Sequence, residues 1–341
     1  MGFNLSSDLI TKVCKCYHLG ELLELPVLIP GGKVHQVWKL HTQSGFYALK
    51  RLEIPPNDFQ SEITRYNETE KIASQFYEKN IPMTPAIDCG HHPVCVVDGN
   101  GFILFKWVLG KKLLSKEITH HQAAQIGHVL VNLHHAHLSP NEINLSVLND
   151  RFYNFSFSPQ HWDCLFSHKR MNKIAYAELF QKIAPLIFKV CEKVAQANQV
   201  LSSDRVISHR DVSPNNVIWT VHRSPVVIDW ELAGLIHPTV DLLGAAFDWS
   251  IVGPNKISEK RFEAVVSAYK HAGGKIVYAE EVFFALMGIW FSWMELNLER
   301  FVYHKNLVEK HLGEREAVHT LLAFTRVYPH RAQWEWYLFP A

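Results

Sequence analysis

The chain has 341 residues, of which 48% are hydrophobic and 20% charged, and its formal net charge is +1. That length exceeds one small core and suits two lobes. The near-neutral balance gives no argument for nucleic acid or an anionic membrane surface as partner.

No basic-then-apolar leader opens the chain, although Met1-Gly2 through Ser6 fits the loose N-myristoylation pattern. Ser7 or Asp8 is placed to cap a first helix with Leu9, Ile10, Val13 and Tyr17 on one side. Val27-Leu28-Ile29 opens a β region, and Gly31-Gly32 makes a turn. Residues 34–40 and 46–52 follow as strands around a second turn at 42–45. The glycine turn is neither a Walker A motif nor a full G-x-G-x-x-G. Such a turn lets backbone N–H groups approach phosphates, and it serves equally as a plain hairpin. Lys50 shares a strand face with Phe46, Ala48 and Leu52. A lysine there calls for an anionic partner, unless the strand is an edge in water.

Residues 58–79 have helical period through Ile63, Tyr66, Ile72, Ala73 and Phe76, with Glu70 inward and Glu62 and Glu68 solvated. Asp98-Gly99-Asn100-Gly101 joins the strands 94–97 and 102–108 in a hairpin. The composition turns helical after Gly110. Residues 1–106 therefore form a sheet lobe and 107–341 a helical lobe. Six scattered cysteines suit a reducing compartment, so the expected location is the cytoplasm. The run from Cys89 to Cys95 matches no standard zinc spacing and reads as a loop entering a strand.

Residues 119–137 form an amphipathic helix whose histidines are expected to be solvated or capping. Residues 138–173 read as irregular. A helix from about Met171 is interrupted at Pro185 and resumes to Gln199. The tail, 257–336, is helical, and its most apolar run, 282–294, is a buried helix too short to span a bilayer.

The chemistry concentrates in His209–Glu231. Asp211 precedes Asn216 by five positions, and the strand Pro225-Val226-Val227-Ile228 ends in Asp229. An Asp that orients a hydroxyl, with an Asn and a second Asp that hold magnesium, is the equipment of phosphoryl transfer.

These residues resemble the aminoglycoside phosphotransferase and choline kinase superfamily. The matching pieces are His209-Arg210-Asp211 with Pro214 and Asn216, Ile228-Asp229-Trp230-Glu231, Asp241 in the helix starting at Pro238, Tyr47-Ala48-Leu49-Lys50, and Gly127 through His134. The resemblance implies an α+β, bilobal, protein-kinase-like fold: a small antiparallel sheet with one main helix, then a larger helical lobe. It implies Asp211 as catalytic base, Asn216 and Asp229 as magnesium ligands, and Lys50 on the nucleotide phosphates with Glu70 holding it. Ala48, Ile218 and Ile228 would enclose the base, and the Lys106 and Val108 backbone would pair with its edge. The cofactors implied are ATP, with GTP left open, and Mg2+. Arg210 departs from the family, which has glycine there. Protein kinases carry arginine at that place, to meet a phosphorylated activation loop. Only eleven residues separate Asp229 from Asp241, which favours a small-molecule hydroxyl acceptor over a protein.

Glu231, Asp248, Glu295 and Glu299, with Trp230, Trp249, Trp290 and Trp293, are the candidate acceptor-site residues. Acids beside aromatics suit an amino-alcohol or aminoglycoside. Two rival classes are a pseudokinase binding module and a protein kinase. Magnesium-dependent nucleotide binding without transfer would mark the first, and transfer to protein the second.

Overall fold

The computed structural model describes residues 6–30, 35–138, 143–148, 153, 156–253 and 256–339. Gly2 and the Gly31-Gly32 turn lie outside them. From the N-terminus come α1 (Ser7–Cys16), β1 (Val27–Ile29), β2 (Gln36–Thr42), β3 (Gly45–Leu52), α2 (Phe59–Glu78), β4 (Ala86–Ile87), β5 (Val94–Val97), β6 (Asn100–Lys106) and β7 (Gly110–Lys111). Next are α3 (His120–His135), α4 (Pro159–Ser167), α5 (Ala177–Val200), β8 (Val206–Ser208), β9 (Val217–Thr220) and β10 (Pro225–Val227). The remainder is β11 (Gly234–Ile236), α6 (Pro238–Ser250), β12 (Ile251–Gly253), β13 (Lys256–Ile257), α7 (Glu259–His271), α8 (Ala279–Tyr303), α9 (Leu307–Val327) and α10 (Arg331–Leu338). The fold is α+β and bilobal, of the protein-kinase-like class.

The first compact unit comprises Met1–Leu113, His135–Leu148 and His209–Gly234. Its main sheet is antiparallel, in the order β1-β2-β3-β6-β4, with β5 also paired to β6. Asp98 (φ +48°) and Gly99 (φ +72°) make the β5–β6 turn, the left-handed pair that a two-residue hairpin needs. Strand alternation divides the core. Leu49, Phe102 and Leu104 pack with Leu9, Ile10 and Val13 of α1, while Leu52 and Ile103 pack with Ile63 and Tyr66 of α2. The sheet thus carries a helix on each face, α1 on one and α2 on the other. Lys50 lies in phase with Leu52, on the α2 side. The cap of α1 is Ser6, which accepts from the Leu9 N–H, and not Ser7 or Asp8.

The second unit comprises Leu114–His134, Asn149–Ser208 and Leu235–Ala341. Its spine is α8, whose Val282, Met287, Phe291, Met294 and Leu298 are buried. It packs against α5, α6 and α9. Pro185 does not interrupt α5, which runs unbroken from Ala177 to Val200. Pro185 sits on its exposed side, where the carbonyl it leaves unbonded can meet water. Part of the stretch expected to be irregular is the helix α4, begun by Ser158 and Pro159.

Gly127 lets α3 approach α7: a Cβ there would lie 2.3 Å from the Val265 carbonyl oxygen. At the end of α3 His134 is buried, not solvated. Its Nδ1 is 2.8 Å from the Tyr269 hydroxyl and its Nε2 3.0 Å from Asp241 Oδ2, which also accepts from Ser208. Among the described residues no helix is long and apolar enough to cross a membrane.

Candidate active site

Three of the expected residues, Asp211, Asn216 and Asp229, converge through one short hairpin. β9 and β10 pair with Val217 opposite Val227, and the Ile228 N–H donates to the Asn216 carbonyl at 2.9 Å. That register sets Asn216 beside the end of the strand that delivers Asp229. The Asn216 amide Nδ2 donates to Asp211 Oδ2 at 2.7 Å and to its backbone carbonyl at 3.1 Å, which fixes the carboxylate.

His209 supports the same loop from behind. Its Nδ1 accepts the Asp211 N–H at 3.2 Å, and its Nε2 donates to the Ile228 carbonyl at 3.0 Å. Both ring nitrogens are thereby engaged in holding the loop. Trp230 lies edge-on against it at 4.7 Å and packs on Phe76 of α2 at 5.2 Å. Trp230 and Trp249 are core residues, not walls of a cleft.

Two residues of this stretch hold left-handed backbone without being glycine: Arg210 (φ +66°) and Asp229 (φ +69°). Such positions are strained by about 1 kcal/mol or more and persist only where surrounding contacts enforce them. For Arg210 those contacts are visible. Its guanidinium donates to the Leu232 and Ala233 carbonyls. A Cβ on Gly234 would come within 2.6 Å of that guanidinium, so Gly234 makes room for it. Arg210 thus closes the loop after Asp229 on itself.

Lys50 is the electrostatic centre. It is 8% exposed, with Nζ 2.6 Å from Asp229 Oδ1 and 2.7 Å from Glu231 Oε2. Burial pulls the ammonium toward deprotonation, but Asp229 and Glu231 outweigh it and hold Lys50 well above the usual lysine range. Burial likewise pushes Glu231 up, and Lys50 and His35 outweigh it, holding that carboxyl well below the usual range.

Two sequence expectations change here. Glu70, read as the partner of Lys50, makes no ion pair with it: it is 3% exposed, and its Oε2 has no hydrogen-bond partner. Burial raises its pKa to about 8, against the opposing pull of Lys50, so it is largely protonated at neutral pH. Glu231, read as an acceptor-site acid, instead ties Lys50 down. The reason is local. Asp229 in left-handed backbone is followed by a 3-10 turn over Trp230–Leu232, and both carboxylates thereby reach the same ammonium.

His35 and Arg65 were not legible as site residues. His35 Nε2 lies 3.1 Å from Glu231 Oε2 and 2.7 Å from the Tyr66 hydroxyl, while Nδ1 accepts the Glu53 N–H at 3.0 Å. Arg65 donates to the Glu231 carbonyl at 2.8 Å and clasps Glu62, which is therefore not simply solvated. The only signal was that Arg65 falls among the inward-facing residues of α2.

The residues expected around a base belong to the same unit. Ala48 pairs with Phe105 and Tyr47 with Lys106 across β3–β6, and Val108 and Ile228 are half-buried. Gly110 brings β7 against β9, since a Cβ there would stand 2.3 Å from the Trp219 oxygen and 2.7 Å from Ile218 Cγ2. Asp248, Glu295 and Glu299 belong to the second unit, where His161 Nε2 lies 3.0 Å from Glu299 and 3.9 Å from Glu295.

A buried lysine facing an acid at a strand end, with a loop carboxylate fixed by an asparagine, is an arrangement compatible with phosphoryl transfer. The chain belongs to the phosphotransferase enzyme family, whose model matches residues 27–281. No curated protein matches the sequence significantly. Among solved structures, a spectinomycin phosphotransferase bound to ADP and spectinomycin is similar at 14% identity and TM-score 0.70, covering 95% of this chain and 99% of its own. A choline kinase from Streptococcus pneumoniae is 17% identical with TM-score 0.58, covering 93% of this chain and 100% of its own. A Plasmodium vivax ethanolamine kinase is 16% identical with TM-score 0.58, covering 89% and 83%.

Proposed function

We propose that this phosphotransferase moves the terminal phosphoryl group of ATP to a hydroxyl of a small, amine-bearing molecule. In the transfer, the bond from the γ-phosphorus to the bridging oxygen breaks, a bond to the acceptor oxygen forms, and the acceptor proton goes to the Asp211 carboxylate. The observation that carries this reading is the 2.7 Å bond from Asn216 to Asp211, beside an Asp229 already committed to Lys50. Asp211 is held still to orient a hydroxyl, and its pKa need not be high, because the proton can leave late in a loose transition state.

Asn216 and Asp229 fit a hard divalent cation. Asn216 spends its amide nitrogen on Asp211, leaving Oδ1 as donor, and the Asp229 side chain is 39% exposed. Magnesium, when bound, neutralises charge on the phosphate oxygens. Lys50 supplies a second fixed positive charge, kept protonated by its two acids. Asp248, Glu295 and Glu299 are the acids proposed to favour an amine. The similar solved structures are named for spectinomycin, ethanolamine and choline, which supports the same preference.

A coupled ADP-release assay over amino-alcohols, aminoglycosides, sugars and homoserine-like compounds tests the reading, with GTP as a second donor. Magnesium-dependent turnover should appear with an amine-bearing acceptor and vanish in Asp211→Ala and Asp229→Ala while circular dichroism is unchanged. Near-normal turnover by Asp229→Ala would sink the site assignment. Thermal stabilisation of the nucleotide-bound protein by neutral or anionic alcohols alone would sink the amine preference.

A further inference from the structure

The thiols of Cys16, Cys89 and Cys95 lie within 4.8 Å of one another. They reach one point from three places: the last residue of α1, the loop after β4, and β5. The loop is firmly built. The Cys89 N–H donates to the His92 carbonyl at 2.8 Å, the two residues form an antiparallel bridge, and Gly90 at φ +77° permits the turn. Past Pro93, β5 returns with Cys95 paired to Phe102.

The third arm is tied to the same hairpin. Tyr17, next to Cys16, has its hydroxyl 2.9 Å from the Pro93 carbonyl and 3.0 Å from that of Phe102. α1 stops there because His18 turns left-handed (φ +54°) and the Leu19 N–H bonds back to Cys14 at 2.9 Å.

All three cysteines gather at one edge of the α1-side core, and Cys16 and Cys89 are only half-buried there. Thiolates around one ion at about 2.3 Å stand closer than 4.8 Å apart, so each sulfur need move inward by at most about half an ångström.

We propose that Cys16, Cys89 and Cys95 bind one thiophilic d10 cation. With Zn2+ a solvent or exogenous ligand completes four-coordination; with Cu+ the three sulfurs suffice. Among the described residues no further His, Cys, Asp or Glu joins the cluster. On binding, three S–H bonds give their protons to solvent and three sulfur–metal bonds form, with no change of oxidation state. The site belongs to the α1 face of the sheet, whereas Lys50 is on the other. Its effect is to staple α1 to the β4–β6 region.

The test uses the reduced, metal-free full chain. Titration with Co2+ should reveal thiolate-to-cobalt charge transfer saturating at one ion per chain. One Zn2+ should displace it and raise the melting temperature. A parallel arm adds Cu+ buffered by a chelator, and saturation in that arm alone identifies the three-coordinate form. Stoichiometry should fall from one to zero in Cys16→Ser and Cys89→Ser and stay at one in Cys164→Ser, an exposed cysteine outside the cluster. As a check free of substitutions, the bound ion should slow alkylation of Cys16 and Cys89, mapped by peptide mass, and leave Cys164 unchanged. No stoichiometric binding in either arm, binding that survives both serine variants, or unslowed alkylation would each overturn the proposal.

Discussion

Replacing Glu70 by glutamine should make the protein more stable, and increasingly so as pH rises. Burial lifts the Glu70 pKa from 4.5 to about 8. Below pH 4.5 the carboxyl is neutral in both folded and unfolded chains and contributes no pH dependence. Between pH 4.5 and about 8 the unfolded chain releases a proton that the folded chain keeps, so stability falls with rising pH. At about 1.4 kcal/mol per pH unit, the whole interval caps the loss at about 5 kcal/mol. Glutamine has nearly the same shape and no proton to lose, so it removes the slope. Urea unfolding of both proteins at pH 5, 6, 7 and 8, followed by tryptophan fluorescence, measures the difference; Trp230 packs on Phe76 of the same helix as Glu70. The variant's advantage should be small at pH 5 and reach a few kcal/mol at pH 8. A difference that stays flat across that range would mean that Glu70 is ionised in the fold, and the burial argument would fail.

Glu231→Gln should lower kcat/KM roughly 10- to 100-fold, because Lys50 loses one of its two anionic partners. The loss should appear partly as a higher KM for nucleotide, and unchanged steady-state kinetics would refute it. Gly127→Ala forces a Cβ to 2.3 Å from the Val265 oxygen and should cost about 1–3 kcal/mol, read as a lowered melting temperature. An unaltered melting curve would show that α3 and α7 separate freely.

The hairpins and the Asp211–Asn216 loop were legible because their information is local. Asp98-Gly99 supplies its own turn geometry, and Asp211-x-x-x-x-Asn216 folds within one loop. The pairing of Lys50 was not, since it hangs on a left-handed Asp229, which no side-chain preference announces. Helical phase did place Glu70 inward. Phase cannot say whether a buried acid meets a cation or keeps its proton. Pro185 misled for a related reason: propensity marks it as a breaker, but tertiary packing of α5 on α8 and an exposed position override that. The cysteine cluster joins residues 73 positions apart, beyond the reach of any spacing rule.

Arg210 bears on how such an enzyme is governed. A guanidinium beside a catalytic aspartate can act as a latch that waits for a phosphate. Here the latch is already shut on the Leu232 and Ala233 carbonyls, groups that every copy of the chain carries from synthesis onward. A loop fastened by its own backbone is held in place without any added phosphate.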